Sequence, residues 1–176
     1  MKKETLIVSA FPGVGKSWCF DNQNTLGLTI LDSDSSNFSW LEKGVRHPDF
    51  PNNYMQHIAE NMGKVDIICV SSHKDVRDAL KSSNFAYAIV IPEIDLKNEY
   101  IERFNKRGNN QNFINFIDTN WAVFLDDIVN EGHKYVVHLG ENMYLCDFLD
   151  IAHEVIEMIT LVKNSAIEMI ILVKNS

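Results

Sequence analysis

The sequence has little positive charge. Its 176 residues include 16 Lys and Arg against 24 Asp and Glu, which gives a formal net charge of −8 at pH 7. This balance disfavours extended binding to DNA, RNA or an anionic membrane, because such binding needs a continuous basic surface. Any anionic ligand must therefore be met by a small local cluster of cations. Arginine is especially scarce, and its four positions are Arg46, Arg77, Arg103 and Arg107.

Cysteine and long apolar runs are also scarce. The three cysteines are odd in number and widely spaced, which disfavours a disulfide framework or a zinc site and predicts reduced core thiols at Cys19, Cys69 and Cys146. No apolar run approaches the roughly 20 residues that cross a bilayer, so we expect no membrane association. The N-terminus lacks the long apolar region of a signal peptide, and the sequence predicts a cytoplasmic protein.

The sequence does contain a series of apolar runs rich in β-branched residues. Because these runs are continuous, they predict strands buried on both faces at residues 6–10, 28–31, 65–70, 86–91 and 135–139. Amphipathic segments between them predict helices that include residues 54–62, 74–81, 96–106 and 112–130. This alternation predicts an α/β fold, a three-layer sandwich around a five-stranded parallel sheet with right-handed crossovers. The binding crevice of such a fold lies at the carboxyl ends of the strands.

The chain has no obvious internal boundary. No linker rich in Pro, Gly or Ser divides it, so the sequence predicts a single domain over residues 1–176, with an irregular excursion at 37–53. One segment is repeated near the C-terminus, since IEMITLVKNS at 156–165 recurs as IEMIILVKNS at 167–176. The offset of 11 residues is three helical turns plus about 20°, so both copies present almost the same apolar face. We predict a duplicated C-terminal helix over about 151–176; a partner-binding helix is the alternative.

The segment AFPGVGKS at residues 10–17 follows the first predicted strand directly. It matches the phosphate-loop pattern G-x-x-x-x-G-K-[ST], with Ala10 at the first glycine position. The glycines let the backbone curl so that successive N–H groups point at phosphate oxygens, next to the positive end of a helix. Lysine reaches the β- and γ-phosphates, and the serine hydroxyl is suited to Mg²⁺. The sequence thus predicts an ATP and Mg²⁺ site formed by Gly13, Val14, Gly15, Lys16, Ser17 and Trp18.

Two carboxylates follow the second predicted strand, in LDSDS at residues 31–35. Alternate residues at a strand end point to opposite sides, so Asp32 and Asp34 need not act alike. One is expected to be aimed at the metal beside Ser17, and the other at an acceptor group beside the γ-phosphate. The alternative is that one of them caps the next helix or turn. His73, after the third predicted strand, could likewise touch a substrate phosphate or cap a helix.

The arginines lie in or near the predicted crevice loops. A guanidinium is permanently charged and bidentate, which suits it to phosphate and to the charge that develops during phosphoryl transfer. Arg103 and Arg107 are four residues apart and share one helix face. For Arg103, the alternative is an ion pair with Glu99 or Glu102.

Taken together, these motifs resemble those of a P-loop kinase of the nucleoside monophosphate kinase group. The resemblance rests on FPGVGKS at 11–17, LDSD at 31–34, SSHKDVR at 71–77 and ERFNKRGN at 102–109. In particular, the chain is similar to small deoxynucleoside monophosphate kinase-like proteins of phages and their bacterial hosts. The resemblance covers residues 6–149. The Asp-x-Asp pattern, in contrast, is more typical of kinases whose acceptor is a hydroxyl, such as shikimate, gluconate and polynucleotide kinases.

The resemblance implies a phosphotransferase that moves the γ-phosphoryl group of ATP to a small acceptor, with a (deoxy)nucleoside monophosphate as the leading acceptor. It implies that Lys16 and Ser17 hold ATP·Mg, that Arg103 and Arg107 belong to a lid-like segment at about 100–115, and that Arg46 and Arg77 grip the acceptor phosphate. Asp32 or Asp34 becomes a candidate general base if the acceptor is an alcohol. The alternatives are a hydroxyl-directed or polynucleotide-end kinase and an ATP-binding regulator without transfer. The oligomeric state is left open.

Overall fold

Five parallel strands form the sheet at the centre of the computed structural model, which describes residues 4–42, 44–83 and 85–149. The strands in these residues are β1 (Leu6–Ala10), β2 (Ile30–Asp32), β3 (Trp40–Glu42), β4 (Val45–Arg46), β5 (Ile67–Ser71), β6 (Tyr87–Pro92) and β7 (Val136–Leu139). The main sheet has the order β2-β5-β1-β6-β7, and every pair in it is parallel. Strands β3 and β4 form a separate antiparallel hairpin. The predicted parallel sheet is therefore confirmed.

Strand β1 lies in the middle of the sheet and has neighbours on both sides. Its burial explains the continuous apolar run, since four of its five residues are buried, as are all six of β6. Ala10 at the end of β1 is in register with Ser71 at the end of β5, and Asp32 of β2 lies opposite Cys69. The segments that follow β1, β2 and β5 consequently leave the same edge of the sheet.

Six α-helices with defined bounds lie between the strands in the described residues, in addition to helical residues 145–149. They are α1 (Lys16–Asp21), α2 (Ser36–Ser39), α3 (Asn52–Asn61), α4 (Lys74–Ser82), α5 (Lys97–Arg107) and α6 (Gln111–Asn130). The four predicted helices correspond to α3, α4, α5 and α6, with ends that differ by one or two residues. None of the helices in the described ranges combines the length and apolar character that crossing a membrane requires.

Helix α6 shows how the sequence pattern produces these elements. Its first turn is capped by Asn110, whose side chain accepts the Phe113 N–H. Its buried residues recur at helical spacing: Ile114, Ile117, Trp121, Leu125 and Ile128. Residues 145–149 are also helical. The predicted duplicated helix at about 151–176 lies outside the described residues.

The irregular excursion predicted at residues 37–53 contains structure that the sequence analysis did not predict. The short helix α2 and the hairpin of β3 and β4 occupy most of it. All three residues of β3 are exposed, so their sequence carries no alternation between apolar and polar positions that would have predicted a strand.

Candidate functional site

The phosphate loop, residues 10–17, joins the central strand β1 to the start of α1. Gly13 and Gly15 have φ values of 83° and 103°, in the region that favours glycine, as the curled backbone requires. Within the described part of the chain, the N–H groups of Gly13, Gly15, Lys16 and Ser17 have no backbone acceptor. These donors at the N-terminal end of a helix make the loop suited to binding phosphate oxygens.

The outer side of the loop packs tightly against α5. A Cβ atom on Gly13 would lie 2.8 Å from Cε1 of Phe104 and 3.1 Å from Cδ1 of Tyr100, so this position has no room for a side chain. Phe11 adds an edge-on contact with Tyr100, with a distance of 6.5 Å between ring centroids. Aromatic side chains thus pack against the outer side of the loop.

Ser17 and Asp32 meet at the edge of the sheet. The Ser17 hydroxyl donates a hydrogen bond of 2.8 Å to Oδ2 of Asp32. A hydroxyl and a carboxylate are hard oxygen ligands, so this pair fits Mg²⁺. The described residues contain no group of three or more His, Cys, Asp or Glu side chains that could hold a metal ion. Such a group is not required here, because Mg²⁺ is usually held by one or two carboxylates together with waters and substrate phosphates.

Lys16 lies among charged and polar groups at the mouth of the loop. Its ammonium donates a 2.9 Å hydrogen bond to the Ala10 carbonyl. Desolvation lowers the pKa of Lys16; Arg107 lowers it further, whereas Asp32 and Asp34 oppose the shift. The charges of both predicted carboxylates and of one predicted lid arginine therefore act on the lysine.

Asp34 caps the start of α2, which was one of the two alternatives for this residue, and it does so with one carboxylate oxygen only. Its Oδ1 accepts the Ser36 N–H at 2.9 Å, just before the start of α2. No hydrogen bond to Oδ2 is present within the described ranges, and the residue is exposed. One carboxylate oxygen of Asp34 is thus available to a ligand.

His73 precedes helix α4, and Arg46 ends the hairpin of β3 and β4. Desolvation lowers the pKa of His73, and the Lys16 and Arg46 cations lower it further. His73 is also the N-cap residue of α4, although its side chain makes no capping hydrogen bond. Arg46 pairs with Asp75 at 2.8 Å, and its guanidinium lies 4.4 Å from the centroid of the Phe50 ring and 5.3 Å from that of Trp40. Arg46 is thus held in place at the crevice.

The two predicted lid arginines have different surroundings. Arg103 donates to the Gly13 carbonyl at 3.3 Å and to the Met143 carbonyl at 2.9 Å, and it pairs with Glu99. The ion pair with Glu99 is the alternative that the four-residue spacing had indicated. The side chain of Arg107 is exposed and makes no ion pair or hydrogen bond within the described residues, and its charge lowers the pKa of Lys16. Arg107 is therefore the one of the two whose guanidinium is not already engaged by a described residue.

The prediction that Arg77 grips an acceptor phosphate needs correction. Its guanidinium is 3% exposed and forms ion pairs with Asp127 and Glu131, both at 2.6 Å, and it also donates to the Ser72 carbonyl. These contacts join α4 to the end of α6 and use the whole guanidinium. Asp127 and Glu131 lie four residues apart at the C-terminal end of α6, so both carboxylates reach the same guanidinium.

The remaining predicted loop residues differ in exposure. Val14 is fully buried, and its carbonyl accepts the Leu145 N–H at 2.8 Å. Trp18 lies in the first turn of α1 with its side chain 52% exposed. Its contribution to a nucleotide site would therefore come from its backbone N–H at the helix start or from the exposed indole ring.

Comparisons with known proteins bear on the fold. No family model matches the chain, and no curated protein matches it in sequence. Among solved structures, it is similar to a gluconokinase from Sinorhizobium meliloti 1021, with a TM-score of 0.55 and 16% identity over 93% of this chain and 98% of that chain. The similarity shows that the chain shares the α/β fold of that structure. The finer resemblance to deoxynucleoside monophosphate kinase-like proteins stays a prediction.

Proposed function

We propose that this protein is an ATP-dependent phosphotransferase that moves the γ-phosphoryl group to a small acceptor. The observation that carries the proposal is the contact between Ser17 and Asp32 beside Lys16 and a loop whose N–H groups have no backbone acceptor among the described residues. In the reaction, the bond between the γ-phosphorus and the β–γ bridging oxygen breaks, and a bond to an acceptor oxygen forms. ADP leaves.

Catalysis would rest on positioning and on charge neutralisation. The loop N–H groups hold the phosphates, and Lys16 reaches the β- and γ-phosphates in place of its present contact with the Ala10 carbonyl. Ser17 and Asp32 would hold Mg²⁺, which when bound neutralises charge on the β- and γ-oxygens. Arg107, which has no ion pair within the described residues, would add charge to the transferring group.

We propose a (deoxy)nucleoside monophosphate as the first acceptor to test. Support comes from Arg46, whose guanidinium is half exposed and flanked by the rings of Trp40 and Phe50. A phosphate could pair with this guanidinium, and an exposed aromatic ring such as Trp40 offers a surface on which a base can stack. A monophosphate acceptor is already ionised, so this reaction needs no general base.

A hydroxyl on a small anionic molecule is the second candidate acceptor. The available oxygen of Asp34 favours it, because a carboxylate near Lys16 can accept the proton that an alcohol loses as its oxygen bonds to phosphorus. The solved structure reported above is named a gluconokinase, which is consistent with an acceptor of this kind. In this version Arg46 would bind the anionic group of the acceptor.

The experiment is ATP turnover measured with a panel of nucleoside monophosphates, sugar acids and oligonucleotides with free ends, with the products identified by mass spectrometry. We expect acceptor-stimulated ADP release and one phosphorylated product class. The variant Asp34→Asn separates the two candidates. It should lower kcat by about 100-fold or more with a hydroxyl acceptor, because general-base catalysis is lost. With a monophosphate acceptor, the effect should be only a few-fold.

Two outcomes would count against this proposal. ATP binding without any phosphorylated acceptor across the panel would favour a nucleotide-binding regulator. A product formed only from oligonucleotide ends would favour an end kinase. Asp49→Asn is a matched control for Asp34→Asn, since Asp49 is an exposed carboxylate in the same region whose substitution removes the same charge.

A further inference from the structure

Three segments meet on the outer side of the phosphate loop. They are the loop itself, α5, and residues 140–145 after β7. Arg103 connects all three through the Gly13 carbonyl, Glu99 and the Met143 carbonyl. Its guanidinium also lies 3.9 Å from the centroid of the Tyr144 ring and 4.5 Å from that of Tyr100.

Glu99 holds a second connection in the same junction. Besides pairing with Arg103, its carboxylate accepts the Asn142 N–H, at 3.2 Å to one oxygen and 3.3 Å to the other. Asn142 has a φ of 58°, the single positive value among the described non-glycine residues. This uncommon backbone conformation is therefore supported by the carboxylate. Residues 140–145 in turn bind the phosphate loop, since the Leu145 N–H donates to the Val14 carbonyl at 2.8 Å.

These contacts determine which way the loop N–H groups point. In a planar trans peptide unit the carbonyl and the N–H point in opposite directions. When the Val14 carbonyl is anchored outward at Leu145, the Gly15 N–H in the same peptide unit points inward. Arg103 anchors the Gly13 carbonyl in a similar way and so restrains the preceding part of the loop.

We propose that Glu99 is a positioning residue for phosphate binding, which acts by fixing Arg103 and residues 140–145 against the outer side of the phosphate loop. This inference rests on the proposed function, because it concerns how the same loop is preorganised for ATP. It also assigns Arg103 a positioning role in place of the predicted lid role, since its guanidinium is already engaged by the loop. Arg107 is left as the arginine that can reach the phosphates.

The same helix provides a matched control. Glu102 and Lys106 form another pair with four-residue spacing on α5, at 2.8 Å, but their side chains are 64% and 74% exposed. The side chains of Glu99 and Arg103 are 21% and 11% exposed. An exposed ion pair contributes little to stability. Removing the charge of one residue of a partly buried ion pair leaves the charge of the other without its counterion.

The experiment compares Glu99→Gln with Glu102→Gln in direct binding of ATP and of tripolyphosphate, which contacts the loop but has no base. Glu99→Gln should weaken binding of both ligands by about 10-fold, the value of one hydrogen bond to a charged group. Glu102→Gln should leave both affinities within about 2-fold of the parent value. In turnover, Glu99→Gln should raise the KM for ATP more than it lowers kcat. In an Arg103→Met background, adding Glu99→Gln should cost less than it does in the parent, since the part of the effect that acts through Arg103 is already lost and only the contact with Asn142 remains.

Each alternative result has a distinct meaning. A lower Tm for Glu99→Gln with unchanged ATP and tripolyphosphate affinity would assign Glu99 a structural role only and overturn the proposal. Weakened ATP binding with unchanged tripolyphosphate binding would place the effect on the base and also overturn it. If the parent protein binds neither ligand, the proposed function fails together with this inference. Binding by the parent and by Glu99→Gln with equal affinity overturns the inference alone.

Discussion

The two regions proposed to bind the substrates are built differently. The proposed nucleotide side comprises the phosphate loop, α5 and residues 140–145, and the proposed acceptor side comprises residues 32–55 and His73. On the nucleotide side, two loop carbonyls are anchored and Gly13 packs directly against Phe104. On the acceptor side, the hairpin of β3 and β4 has three exposed apolar side chains, Trp40, Leu41 and Val45. Arg46, at the end of this hairpin, is held by one ion pair and two aromatic rings.

This difference indicates where rigidity and where selectivity reside. Phosphate binding by backbone N–H groups needs a defined peptide orientation, which packing and the carbonyl anchors would supply before a ligand arrives. Acceptor recognition, as proposed, would depend on a few side chains at the surface. Changes on the nucleotide side should therefore affect every ligand with phosphates, whereas changes on the acceptor side should affect one substrate only.

The largest effect is expected from Gly13→Ala on the nucleotide side. The new Cβ would lie 2.8 Å from Cε1 of Phe104 and would also occupy a positive φ, so the loop must move. We expect ATP binding to weaken by more than about 100-fold, measured by calorimetry. Gly27→Ala is the matched control, because Gly27 has a φ of 66° with nothing within 4 Å of the added Cβ. Equal ATP affinity in the two variants would contradict a packed nucleotide side.

A smaller and more selective effect is expected from Arg46→Ala on the acceptor side. Loss of the guanidinium should raise the KM of the acceptor by about 10-fold and leave the KM of ATP unchanged. Arg107→Ala provides the cross-comparison, since it should lower kcat while the KM of the acceptor stays the same. Initial rates with each substrate varied in turn measure both. A rise in the KM of ATP for Arg46→Ala would contradict the assignment of Arg46 to acceptor binding alone.

The smallest effect on binding is expected from Arg77→Met, which lies on neither side. Arg77 lowers the pKa of Glu131 below its ordinary value of 4.5, mainly through a hydrogen bond. A carboxylate whose pKa is lower in the folded than in the unfolded protein stabilises the fold at pH values above its unfolded-state pKa. This stabilisation is lost as the pH falls through its folded-state pKa. Removing Arg77 should cost roughly 3 kcal/mol at pH 7, and the difference from the parent should shrink below about pH 4.

Thermal unfolding monitored between pH 7 and pH 3 checks this prediction, and ATP affinity should stay within about 2-fold of the parent. A pH-independent Tm difference would show that the Glu131 ion pair is not its source. A large change in acceptor affinity with an unchanged Tm would support the original prediction that Arg77 binds the acceptor phosphate.

Much of the fold could be predicted from the sequence because it depends on local patterns. The strands of the main sheet are continuous apolar runs, and helices such as α6 repeat buried residues at helical spacing. The hairpin of β3 and β4 lacked such a signal, since its strands have only three and two residues and all of them are exposed. Its position depends on tertiary contacts that include the pair of Arg46 with Asp75.

The candidate site residues also differ in whether a local sequence pattern marks them. Lys16, Ser17 and Asp32 could be predicted as site residues because a phosphate-loop pattern and a strand end mark them within a short stretch of sequence, and these roles stay predictions. The role of Arg77 could not, because its partners Asp127 and Glu131 lie 50 and 54 residues further along the chain. Glu99 was considered only as a partner of Arg103, since its contact with Asn142 spans 43 residues and is absent from any local pattern.

The most direct test of the central claim is calorimetric titration of ATP with Mg²⁺ into the parent protein and into Lys16→Ala. Lys16 lies in the phosphate loop beside Asp32 and Asp34, so its ammonium should contribute strongly to binding of the β- and γ-phosphates. The account predicts saturable one-to-one binding by the parent and a loss of about 100-fold or more in the variant. Equal ATP affinity in the two proteins would contradict the assignment of this loop as the nucleotide site.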